Sequence, residues 1–195
     1  HLIYVPERVF DEERFVADVD RMVTRHGRCL VAVSEGIHRA DGEPIGKTKE
    51  VDSHGNAQLS GSGALGDRLA DLVKSRLGKG LRVRADTFGY LQRSFAGYVS
   101  EVDAAEAREV GRTAVRVAVA GKTPHGSIVI RREPGATYRA AFDVTELSNV
   151  AKNTRDLDER FLRGDNDIDD SFLDYVRPLV GKLPVPTRLS DYPLA

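Results

Sequence analysis

The chain has 195 residues, 41% of them apolar and 30% charged, with a formal net charge of -1. That is enough apolar material to bury a sizeable core, as one domain or as two small lobes. A near-neutral balance gives no general field for nucleic acid or a membrane surface, so any anion site must be local, and no apolar run reaches membrane-spanning length.

Leu2, Ile3, Tyr4 and Val5 form a short apolar run that stops at Pro6 and reads as a buried strand. Glu7 follows it in a loop. Phe10 and Phe15 flank Asp11 as a hydrophobic staple flanks an N-cap. From there Phe15, Val16, Val19, Met22 and Val23 keep a helical spacing until Gly27, a good stop. Glu12 and Glu13 occupy the first turn, where the helix field favours negative charge. Cys29–Ser34 predicts a second short buried strand, which completes a right-handed β-α-β unit. Cys29, the only cysteine, excludes an internal disulfide or a thiol metal cluster and reads as a small buried hydrophobe. Glu35 and Gly36 lie just past the strand, where Glu35 accepts backbone hydrogens in a tight turn or contacts a ligand.

No period emerges from Ile37 to Gly63, which reads as a surface excursion. His38, Asp52 and His54 are too irregularly spaced for a metal site. GSGALG, Gly61–Gly66, lacks the lysine and hydroxyl residue of an ATP-binding loop and instead offers an entry and cap to a helix. That helix carries an apolar stripe of Leu65, Leu69, Leu72, Val73 and Leu77, and Gly78 ends it.

The most informative stretch is LRVRADTFGYLQR, residues 81–93. Leu81, Val83 and Ala85 alternate with Arg82, Arg84 and Asp86, the period of a strand with one greasy face. Gly89 breaks the pattern, and Tyr90, Gln92 and Arg93 follow at once. Crevices at the carboxyl ends of strands are where α/β folds bind ligands. Arg84 and Arg93 suit an anionic, phosphate-like group because a guanidinium forks onto two oxygens. A surface ion pair is the other reading of Arg84.

Ser100 and Asp103 have the spacing of a capping box with a shortened acid. Ala104, Ala107, Val110, Gly111, Ala114, Val117 and Ala118 line one face of the long helix that follows, a face fit for close packing. Gly126–Arg132 and Tyr138–Val144 predict a hairpin across Pro134-Gly135. Asp165, Asp167 and Asp169 mimic a calcium loop but lack its glycine and terminal glutamate, so no metal is assigned to them. Phe172, Tyr175 and Val176 predict a short helix ending before Pro178, with a proline-rich tail beyond.

DTFGYLQRSFAG followed by SEVDAAEAREVG resembles the later half of phosphofructokinases, most closely the pyrophosphate-dependent branch. LIYVPE and DSHGNAQLSGSGALGDRLA resemble the same family, so the resemblance covers nearly all of residues 2–180. In the family the donor glycine loop, the catalytic aspartate segment and the MGR-type sugar-phosphate motif precede the VPE motif. The chain is therefore expected to be the C-terminal part of such an enzyme, inactive alone, with no catalytic residue and no metal ligand of its own.

The resemblance implies a layered α/β, phosphofructokinase-like partial fold with β-α-β elements and an added antiparallel hairpin. It implies a sugar-phosphate-binding lobe over residues 1–100, with the return helix, hairpin and C-terminal extension over 101–195. It implies that Glu7, Tyr90 and Arg93 hold fructose 6-phosphate and that Arg84 reaches a neighbouring subunit's substrate in a homo-oligomer. ATP-dependent members commonly have histidine where this chain has Tyr90. The implied parent is cytoplasmic, uses pyrophosphate with Mg2+ and has no nucleic-acid or membrane partner. An ATP-dependent parent and a noncatalytic sugar-phosphate-binding or assembly module remain the alternatives.

Overall fold

The structure is a computed structural model that describes residues 1–46, 64–78, 80–121, 123, 125–151, 154–185 and 187, without the side chains of residues 92 and 93. The chain divides into two compact units. The first joins His1–Phe95 to Asp156–Asp170, and the second joins Ala96–Arg155 to the chain from Ser171 onward.

In the first unit, β1 (Leu2–Tyr4) and β2 (Val31–Val33) pair in parallel, Leu2 opposite Val31 and Tyr4 opposite Val33. Helix α1 (Glu12–His26) connects them, as the sequence predicts. Its start is local chemistry: the Asp11 carboxylate accepts the Arg14 backbone N–H at 2.8 Å, and the Phe10 and Phe15 rings pack 5.4 Å apart. Its end is equally local, because Gly27 takes a left-handed φ of 69° and donates its N–H to Val23 at 2.7 Å. Helix α2 (Ala64–Leu77) then lays Leu65, Leu69 and Val73 onto Leu2, Tyr4, Phe15 and Val19 in one core. Fully burying each large apolar side chain stabilises the fold by about 1.5–3 kcal/mol. The capping proposed for Gly61–Gly63, and the residues Asp52 and His54, lie outside the described residues.

The two-residue alternation holds over residues 81–84, where Leu81 and Val83 pack on the core while Arg82 and Arg84 are exposed, and lapses at Ala85, which is exposed. It nevertheless forms no sheet strand among the described residues, which corrects the strand expectation. Alternation selects a face; a ladder also needs a partner backbone. Gly66 shows how closely α2 approaches this run, because a Cβ there would lie 3.0 Å from that of Ala85. Past it, Gly89 (φ 55°) makes the predicted break, and the one-turn helix α3 (Leu91–Ser94) follows.

The second unit contains α4 (Glu101–Ala120), the antiparallel strands β3 (Gly126–Arg132) and β4 (Ala140–Glu146), and α5 (Ser171–Val180). Ser100 caps α4 by accepting the Asp103 N–H at 3.1 Å. The expected packing face is only partly covered: Ala104, Val110 and Val117 are half-buried, whereas Ala107, Gly111, Ala114 and Ala118 are exposed. Helix α5 also passes through Pro178 instead of ending before it. Pro178 has no N–H to give the Asp174 carbonyl, so the helix forgoes one backbone bond in its last turn, and Gly181 (φ 65°) stops it by donating to Arg177.

The segment Asp156–Asp170 belongs to the first unit as a strap. A 3-10 turn (Glu159–Phe161) leads into the short antiparallel pair β5 (Leu162–Arg163) and β6 (Asp167–Ile168), with Gly164 (φ 62°) in the turn between them. Phe161 is buried, and the Ile3 N–H donates to Asn166 O at 2.9 Å. The three acids that resembled a calcium loop are engaged by arginines: Arg14 pairs with Asp165, and Arg163 with Asp167 and Asp169.

Candidate functional site

The carboxyl ends of β1 and β2 emerge side by side. The Ser34 N–H donates to Tyr4 O at 3.0 Å, and a Cβ on Gly36 would sit 3.3 Å from that of Pro6. This close approach puts the exits carrying Glu7 and Glu35 next to each other, and both residues are half-buried. One Glu7 oxygen, Oε1, accepts the Leu157 backbone N–H at 2.8 Å.

Beneath these exits Tyr4 donates its hydroxyl to Asp18 at 2.9 Å, and Asn166 donates its amide to the same carboxylate oxygen at 2.5 Å. Burial alone would raise the Asp18 carboxyl, but the bonds from Asn166, Tyr4 and Arg21 outweigh it and hold the group below its usual range. The Tyr4 phenol moves the other way, pushed well up by burial and by the Asp18 carboxylate. This trio fastens the strap to the floor of the β-α-β unit, and no spacing rule in the sequence announced it.

The other nominated residues occupy two further places. Arg84 is exposed and lines a groove of about 610 Å³ whose walls include Val19, Val33, Val73 and Val83; neither Glu7 nor Tyr90 lines it. Tyr90 is exposed immediately before α3, and the Ser94 N–H donates to its carbonyl at 3.0 Å. Arg93 lies on α3, with its side chain outside the described set. Carboxylates can accept sugar hydroxyl hydrogens, a neutral phenol can donate, and guanidinium groups can fork onto phosphate oxygens.

Among the described residues no three His, Cys, Asp or Glu side chains converge as a metal site. The Glu12 carboxylate at the start of α1 is already committed, receiving Arg39 and Arg68 at 2.9 Å each.

A parallel β-α-β unit with its polar groups at the strand exits, together with an antiparallel hairpin, defines a partial phosphofructokinase-like α/β fold. The crystal structure of a pyrophosphate-dependent phosphofructokinase from Nitrosospira multiformis matches 98% of this chain and 43% of its own, with a TM-score of 0.73 and 29% identity. The pyrophosphate–fructose 6-phosphate 1-phosphotransferase of Rhodospirillum rubrum is 50% identical over 197 residues, covering 98% of this chain and 48% of that protein. Its counterpart from Methylococcus capsulatus is 34% identical over 180 residues, covering 92% of this chain and 41% of that protein. The chain belongs to the phosphofructokinase family, and its high-identity match is to the pyrophosphate-dependent enzymes. It spans about half the length of the curated relatives it matches. No protein-family model matches it.

Proposed function

We propose that these residues form part of a reversible pyrophosphate-dependent 6-phosphofructokinase acting in glycolysis. The observation that carries this reading is the 50% identity to the Rhodospirillum rubrum phosphotransferase over almost the whole chain. In the forward reaction the 1-hydroxyl oxygen of fructose 6-phosphate forms a bond to one phosphorus of pyrophosphate. The bridging P–O bond breaks, orthophosphate leaves, and the hydroxyl proton passes to a base outside the residues nominated here.

Glu7 accepts sugar hydroxyl hydrogens, while Tyr90 and Arg93 take the 6-phosphate. Arg84 reaches the substrate of a second copy in a homo-oligomer. Magnesium, when bound, neutralises charge on the pyrophosphate oxygens. The contribution of these residues is positioning and electrostatic stabilisation of the acceptor, which carry much of the rate in phosphoryl transfer. The proposed setting is the cytoplasm; no helix among the described residues is long and apolar enough to cross a membrane.

The test is turnover by the full-length protein that contains these residues. Fructose 1,6-bisphosphate should form with pyrophosphate and not with ATP, and orthophosphate should drive the reverse reaction. Turnover with ATP alone contradicts the donor assignment. The isolated 195-residue chain should show no turnover with either donor. Activity that survives purification and is abolished by Arg93→Ala would overturn that expectation.

A further inference from the structure

A glutamate on a strand exit has several rotatable bonds, and an unrestrained carboxylate is a poor template for a sugar hydroxyl. Glu7 is restrained from a distance of 150 residues by the Leu157 backbone N–H on Oε1. Among the described residues, Oε2 and the second lone pair of Oε1 have no other hydrogen-bond donor. Arg8, the neighbour of Glu7 in sequence, binds the strap close to Leu157. Its Nη1 donates to Glu159 Oε2 at 3.0 Å, its Nη2 pairs with Glu159 Oε1, and its Nε donates to the Gly164 carbonyl at 3.2 Å. One guanidinium thus grips the strap two residues past Leu157 and again in the β5–β6 turn.

We infer that the Asp156–Asp170 strap is a positioning device for Glu7, latched by Arg8 on Glu159 and Gly164, with the Leu157 amide fixing one carboxylate oxygen so that the other meets the sugar. The inference rests on the reading of Glu7 as a fructose 6-phosphate contact. In this reading Arg8 acts through Glu7, with three of its five N–H groups already directed to the strap. A latch of this kind is visible in specificity more than in stability. The Glu159 side chain is 75% exposed, and exposed ion pairs contribute little to folding. The strap keeps independent anchors in buried Phe161 and in Asn166, which bonds both Asp18 and the β1 backbone. Cutting the latch therefore loosens Leu157 without detaching the strap.

The experiment uses the full-length enzyme, with Michaelis constants measured separately for fructose 6-phosphate and pyrophosphate and thermal unfolding as the control for folding. Glu159→Ala and Arg8→Ala should each raise the sugar constant about 3–10-fold, a misplacement-sized effect. The pyrophosphate constant should stay within about twofold, since uniform binding of the donor is untouched. Arg8→Lys should recover only part of the loss, because an ammonium cannot reproduce the fork. The deciding arm is the pair Glu7→Gln and Glu159→Ala. Combined, they should weaken sugar use no more than Glu7→Gln alone, as expected for groups acting through one contact. Additive losses, or an unchanged sugar constant in folded Glu159→Ala beside an impaired Glu7→Gln, overturn the strap's role. An unchanged sugar constant in Glu7→Gln removes Glu7 from the site and the strap's role with it. Should Arg8→Ala fail to fold, Glu159→Gln breaks the same latch with a nearly isosteric side chain.

Discussion

Every hydrophobic side chain that is buried among the described residues lies in the first unit: those of β1, α1 and α2, the loop residues Phe10, Ile37 and Ile45, and Phe161 on the strap. The second unit is assembled differently. It includes the exposed Arg132, whose guanidinium carbon lies 4.8 Å from the Tyr138 ring centroid and 4.9 Å from that of Tyr175, with Nη1 donating to the Tyr175 carbonyl at 2.7 Å. Tyr138 in turn donates to Glu106 at 2.6 Å, and burial together with that carboxylate pushes its phenol up to about 12. Meanwhile Val115 and Val119 on α4 are 64% and 83% exposed. The first unit has a buried apolar core; the second, among the described residues, joins its elements through the β3–β4 ladder and directed cation–π and hydrogen-bonded contacts. The proposed sugar-phosphate residues Glu7, Arg84, Tyr90 and Arg93 all belong to the unit with the closed core.

Core truncation should separate the units most strongly. Phe15→Ala removes a ring packed against Tyr4 and Phe10 and should destabilise the first unit by about 3–5 kcal/mol. Urea unfolding followed by a probe in each unit would show the loss; an equal shift in both probes would mean that the two units unfold as one.

Next comes Asp18. Asp18→Ala leaves the Tyr4 hydroxyl and the Asn166 amide without their shared acceptor, a loss of about 1–3 kcal/mol. The group also sets an acid limit. Its folded carboxyl lies below the usual 3.8, so its contribution is complete above that value and disappears as pH falls through the folded one. Acid unfolding of wild type should therefore steepen below about pH 4, and Asp18→Asn should flatten that limb. An identical acid limb in the variant contradicts the assignment.

In the second unit Arg132→Ala should cost about 1–2 kcal/mol, the sum expected of exposed cation–π contacts and one hydrogen bond. Amide exchange in β3 and α5 should accelerate while β1 and α1 stay protected. The smallest effect belongs to Val119→Ala, within about 0.5 kcal/mol, because that side chain is already exposed. A loss comparable to that of Phe15→Ala would show that the outer face of α4 is covered in solution.

Local chemistry was legible in the sequence, and remote chemistry was not. The Asp11 cap, the Gly27 stop and the β3–β4 pairing each depend on residues close together in the chain, and their signals survive without tertiary knowledge. The run from Leu81 showed its face, through Leu81 and Val83, but not that it would lack a sheet partner among the described residues. The exposed stripe at Ala107 and Ala114 suited close packing, yet small size alone does not say which element arrives. The strap was least legible. Leu157, Glu159 and Asn166 matter for what they meet 148 to 151 residues earlier, and an acid-rich loop reads the same whether or not it returns to a strand. For the site, the expected strand end and Gly89 pointed to Tyr90 and Arg93 as positions, while Glu7 and the roles of all three came from resemblance to a family.

The central claim is that the first unit holds fructose 6-phosphate through Arg93 and its neighbours. Calorimetric titration of the full-length enzyme with fructose 6-phosphate alone, wild type against Arg93→Ala, tests it without turnover. Losing a bidentate, charge-assisted contact should weaken sugar binding by at least about tenfold, with Arg93→Lys recovering part of the loss and pyrophosphate binding little changed. Unaltered sugar affinity in a folded Arg93→Ala enzyme would contradict the claim and shift the phosphate contact to Arg84 or to basic residues outside this chain.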